Sequence, residues 1–137
     1  MRLRDLEARF IKRAVVKKTA TFVRDGADSA NYNDADLVTE ERDQVYQIQV
    51  DTLADADGIR FLCPLCFKAN GGATGTHSVV CWFEDKVPDD AQPAPGRWNP
   101  VGTGIDDLTF VPGKKSNSVL LLGGCAWHGF VTNGDAT

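Results

Sequence analysis

The chain has 137 residues, 42% of them hydrophobic and 25% charged, with a formal net charge of −4 and a pI near 5.0. That length suits one globular domain with a real core, and the acidic balance excludes a protein that grips nucleic acid with its whole surface. No apolar run approaches the ~20 residues of a membrane span, and "MRLRDLEARF" lacks the apolar stretch of a signal peptide. A soluble chain in the cytoplasm is therefore expected, with its four cysteines as thiols rather than disulfides.

Charge is unevenly spread. Residues 1–24 carry eight Lys/Arg against Asp5 and Glu7, a balance of +6, whereas residues 25–57 carry ten acids against Arg42 alone, a balance of −9. Leu3, Leu6, Phe10 and Ala14 recur at spacings of three and four, which predicts a helix over 3–13 with Arg4, Arg9, Lys12 and Arg13 towards solvent. The β-branched run 15–23 predicts a strand, completing a basic segment over 1–24. Turn formers dominate 24–36, and the acidic stretch 25–43 is expected to be a mobile loop. Alternation in "QVYQIQV" (44–50) predicts a strand burying Tyr46, Ile48 and Val50. "DTLADADGI" suggests one helical turn stopped by a left-handed Gly58. Two strands follow, "IRFL" and then "THSVVCWF" (76–83), the second with His77, Val79, Cys81 and Phe83 on one face. Four prolines make 84–104 an ordered loop. "LTF" and "VLLL" read as short strands and "TNGD" as a hairpin turn.

The densest chemistry lies in "RFLCPLCFK". Cys63 and Cys66 are spaced to share one ion, and "GGCAWHGF" repeats the spacing in Cys125 and His128, 58 residues further on. Pro64 and the glycines 123, 124 and 129 favour the tight turns that aim two donors at one point. A Cys3His set suits tetrahedral zinc, and four protein donors leave no position for a catalytic water, so a structural zinc is expected. No His-Glu-x-x-His and no deaminase signature is present.

Other residues offer alternatives. His77 and Cys81 are candidate replacements for a zinc ligand, although ~13 Å of extended strand separates them from each other, too far for a nucleophilic dyad. Burial as a small hydrophobe is the plainer role for Cys81. Arg97, Asp106 and Asp107 in "GRWNPVGTGIDDLTF" are candidate ligand contacts. With His77 they define an alternative function, a small-ligand-binding or hydrolytic enzyme with a pocket beside the zinc knuckle. The basic start (Arg2, Arg4, Arg9, Lys12, Arg13, Lys17 and Lys18) supports a second alternative, nucleic-acid binding.

Together "GIRFLCPLCF", "GTHSVVCWF", "GRWNPVGTGIDDLTF" and "GGCAWHGFVTNGD" make the chain, over about residues 46–135, resemble a family of short proteins of unknown function encoded by tailed bacteriophages and prophages. The resemblance implies zinc at Cys63, Cys66, Cys125 and His128, and the cytoplasm of an infected bacterium as the setting. It brings no reaction with it. The expectation is thus a mostly β (α+β) single domain over 1–137, a small zinc-stapled antiparallel sheet or sandwich with one N-terminal helix and long loops. Residues 44–137 form its core. It is expected to act as an accessory protein, a monomer or homodimer, that binds an unidentified protein partner and no membrane.

Overall fold

A computed structural model describes all 137 residues, and its architecture is mostly β. The chain divides into two compact units, residues 1–12 with 48–137 and residues 13–47. Ten strands and one α-helix follow in order: β1 Arg9–Val23, β2 Leu37–Val50, β3 Gly58–Leu62, α1 Pro64–Asn70, β4 Ser78–Trp82, β5 Asn99–Val101, β6 Thr109–Val111, β7 Val119–Leu120, β8 His128–Gly129, β9 Val131–Thr132 and β10 Asp135–Ala136. The main sheet has the order β2-β1-β3-β4, and β5 with β6, β7 with β8 and β9 with β10 form two-stranded pairs.

The larger unit is built on the antiparallel pair β3 and β4. Period-two alternation sends Ile59 and Phe61 of β3, and Val79 and Cys81 of β4, to one buried face. Phe10, Leu108, Phe110, Val119, Trp127 and Val131 complete that core, with Trp127 edge-on to Phe61 at 6.0 Å and Trp98 stacked on Phe110 at 5.9 Å. Trp82 lies on the opposite face and donates its indole N–H to the Gln92 carbonyl. Gly58 is an extended residue of β3 rather than a left-handed helix stop. A side chain there would meet the Cys81 carbonyl and the Trp82 ring at 2.7 Å, so close strand packing demands the glycine.

The expected helix over 3–13 is absent. Leu3–Leu6 form a single 3-10 turn that buries both leucines, Glu7 turns left-handed (φ 54°), and β1 starts at Arg9. A spacing of three serves a 3-10 turn as well as an α-helix. The β-branched residues downstream extend the strand back to Phe10 and Ile11, both buried, which pair with β3 at Ile59 and Gly58. This N-terminal turn is tied to the end of the chain: Leu3 N–H donates to the Gly134 carbonyl, and the Arg2 guanidinium to the carbonyls of Asn133 and Asp106.

The smaller unit is a two-stranded ribbon made from β1 and β2. The Thr21 and Thr39 hydroxyls meet across it at 3.2 Å, and Arg24 closes it through a 3.1 Å contact with Asp36. The acidic stretch is strand from Leu37 onward, where a mobile loop was expected. Tyr46 and Ile48 are exposed rather than buried, and Val50 is half-buried. β2 lies at the end of the strand order, so alternation here marks the faces of an edge strand and not a core.

The expected hairpin turn in "TNGD" joins β9 to β10, with Asn133 and Gly134 both at positive φ (49° and 76°). Gly134→Ala should destabilise the fold by at least about 1 kcal/mol in a thermal or urea melt, since the new methyl is strained and aimed at the Asp106 backbone.

Candidate metal centre

Cys63 is the last extended residue before α1, and Pro64 opens the helix where its missing N–H costs nothing. The turn points the amides of Leu65 and Cys66 at the Cys63 sulfur, while Cys66 sits one helical turn on. His77 immediately precedes β4. Its carbonyl accepts the Cys63 N–H at 2.9 Å, which sets the two residues opposite each other in the β3–β4 register with side chains on the same face. Cys125 comes from a turn with positive φ at Gly123, Gly124 and Ala126, closed by the Ala126 N–H donating to the Gly123 carbonyl; the Trp127 amide points back at the Cys125 sulfur.

The four donor atoms of Cys63, Cys66, His77 and Cys125 all lie within 4.8 Å of one another, close enough to hold one metal ion. Cys63 Sγ is 3.5 Å from Cys125 Sγ, and His77 Nε2 is 3.2 Å from Cys125 Sγ. His77 Nδ1 lies 3.3 Å from the Ser78 carbonyl, so a metal ion held by Nε2 would leave an Nδ1–H free to donate to that carbonyl. The hydrogen bond with His77 lowers the Cys125 thiol to about 7. The hydrogen bond to Cys125 pushes the Cys66 thiol up to about 11, and burial raises that of Cys63. Crowded thiols resist multiple ionisation in the absence of a cation, and a divalent ion relieves that repulsion.

The fourth donor is thus His77, where the Cys125/His128 spacing pointed to His128. His128 lies in β8 opposite Leu120, exposed, with its ring 6.2 Å from that of Phe130. The physical cause is Trp127, buried against Phe61: it anchors the turn and sends the next side chain outward. His77 is one of the two replacement ligands that the sequence offers, and its place on the face of Val79 and Cys81, combined with the direct β3–β4 pairing, selects it over Cys81. Cys81 is buried opposite Ile59 as a core thiol, and desolvation raises its pKa.

The remaining candidates do not converge. Arg97, only 8% exposed, donates to five loop carbonyls, those of Pro88, Asp89, Ala91, Pro93 and Gly96. Asp106 meets Arg4 at 3.9 Å on the surface. Asp107 accepts from the Thr103 hydroxyl and the amides of Thr103 and Gly104, which hold its carboxyl below the usual range. Among the basic residues, Arg2 and Arg4 are engaged as described and Lys12 lies 3.9 Å from Asp57. Arg9, Lys17 and Lys18 are exposed, and as strand neighbours Lys17 and Lys18 point to opposite faces rather than forming one helical stripe. A groove of about 630 Å³ does lie beside the metal cluster, reached by His77 and Gly124.

Replacing His77 by Ala should weaken metal binding by more than about 100-fold in a competitive chelator titration, beyond the usual cost of losing an outer-shell partner, whereas His128→Ala should leave it unchanged. Arg97→Met should destabilise the chain by at least about 2 kcal/mol in denaturant, because five carbonyls lose a charged donor. No helix is long and apolar enough to cross a membrane. No family model, curated protein or solved structure matches the chain.

Proposed function

We propose that Cys63, Cys66, His77 and Cys125 hold one structural zinc ion, and that the protein is a binding module which acts on another macromolecule without turnover. The observation that carries the zinc half is the donor set itself, three thiols and an imidazole within 4.8 Å. A tetrahedral zinc with Zn–S of ~2.3 Å and Zn–N of ~2.0 Å sets its ligands about 3.8 Å (S to S) and about 3.5 Å (S to N) apart. The Cys63–Cys125 and His77–Cys125 separations of 3.5 and 3.2 Å lie a few tenths of an ångström inside those values, and the 4.8 Å bound on the whole set lies outside them, a spread that side-chain rotation can close.

Four protein donors fill a tetrahedral ion and leave no place for an activated water, which favours a staple over a Lewis acid. The ion ties together the end of β3, the first turn of α1, the entry to β4 and the 123–126 turn. Binding energy at such a site is folding energy. Asp106 and Asp107, the acids best placed in the sequence for acid–base work, are engaged in the surface pair and the loop described above. The setting we favour is the cytoplasm of a phage-infected bacterium, with the protein as a phage-encoded accessory factor; the motifs quoted from the sequence support that setting.

Elemental mass spectrometry on the purified chain should find about one zinc per molecule. Stripping it with a chelator should lower Tm by at least about 10 °C or abolish cooperative melting, with recovery on adding zinc. A melt indifferent to zinc removal would overturn the structural role.

A further inference from the structure

The groove beside the metal cluster lies along the open edge of β4. In the β3–β4 ladder the Cys63 N–H donates to the His77 carbonyl and the Phe83 N–H to the Asp57 carbonyl. Odd-numbered residues of this strand therefore face β3, and the backbone groups of Ser78, Val80 and Trp82 point the other way. The Trp82 carbonyl accepts the Trp98 N–H, so residue 98 covers the far end of that edge. The N–H groups of Ser78 and Val80 and the Val80 carbonyl have no partner strand, and both residues line the groove.

Its lining is largely apolar and includes Val80, Pro93, Pro95, Leu120 and Leu122, the last two 54% and 85% exposed. The charge is one-sided. No acidic residue lines the groove, in a chain of net charge −4, whereas Lys115, which donates to the Pro95 carbonyl, and Arg97, held by its five loop carbonyls, both do. An open strand edge recognises a backbone, and exposed aliphatic walls recognise alternate side chains. A cationic, acid-free lining favours an anionic occupant.

We propose that this groove binds an extended, apolar, carboxylate-bearing peptide segment of another protein, which adds as a strand to β4 at Ser78–Val80. The proposal rests on the reading of the chain as a binding module and names the class of its partner.

The test uses the full-length, zinc-loaded chain and a synthetic library of β-branched hexapeptides. The peptides carry a free C-terminal acid or an internal Asp or Glu, and matched neutral amides serve as comparison. Acidic peptides should be selected with Kd below about 100 μM and their amides bound at least about tenfold more weakly. Hydrogen exchange of the Val80 amide should slow at least about tenfold on binding. Val80→Pro removes the donor at an outward-facing edge position that tolerates proline, and should abolish selection. Lys115→Glu, a surface change that keeps the fold, should weaken it about tenfold. Zinc content and melting are read on the same samples, so loss of the metal reading shows separately.

Acidic peptides that bind but ignore both variants and leave Val80 unprotected would overturn the groove while sparing the binding-module reading. No selected peptide at all would overturn the proposal. Decanoate binding as tightly as the peptides without protecting Val80 would replace the peptide by an amphipathic acid. Concentration-dependent dimers that protect Val80 unaided would replace it by a second copy. Either result overturns the proposal.

Discussion

One backbone hydrogen bond, from the Cys63 amide to the His77 carbonyl, sets the geometry on which the metal centre depends. It fixes the register of β3 against β4, and a slip of one residue would turn every side chain of one strand to the other face. In the native register the same alternation that buries Ile59 and Phe61 against Val79 and Cys81 delivers a thiol and an imidazole side by side at the strand ends. Core packing and the gathering of donor atoms are therefore one constraint, satisfied by one pairing. The core holds the ladder rigid, and the ladder aims two of the four donors.

The other two donors are local additions to that frame. Cys66 needs only the first turn of α1, which Pro64 opens and a left-handed Gly71 ends. Cys125 needs a turn held from behind by Trp127 in the core. The opposite edge of β4 is organised differently. Arg97 gathers the carbonyls of the 88–96 loop, and Trp98 reaches over to pair with the strand, closing the edge at Trp82 and stopping there. A single five-residue strand thus carries the core on one face, follows directly on the clustered His77, and keeps unpaired backbone at Ser78 and Val80.

Much of this was legible in the residues. The Cys63/Cys66 knuckle, the participation of Cys125, the faces of β4, the Asn133-Gly134 turn and the mostly β character all follow from local spacing and local turn chemistry. The fourth member of the cluster was not legible from spacing alone. Cys125 and His128 imitate a second knuckle in the sequence, but the choice between His128 and His77 is made by Trp127 burial and a strand register, neither of which is local. The N-terminal turn failed for a related reason: Leu3 and Leu6 fit two helical periods, and the pairing of Phe10 and Ile11 with β3 decided against both continuing. The exposure of Tyr46 and Ile48 shows the limit of alternation, which marks two faces of a strand and says nothing about whether either is covered.

The 3.5 Å between the sulfurs of Cys63 and Cys125 has a further consequence, in redox chemistry. A disulfide needs about 2.05 Å, so the metal-free pair lies ~1.5 Å of movement from a covalent bond, given a two-electron acceptor and release of two protons. That bond would remove two of the four donors at once. An oxidant would thus compete with any ion for the same two atoms, and a disulfide formed there would bar metal entry until a reductant reopened the pair.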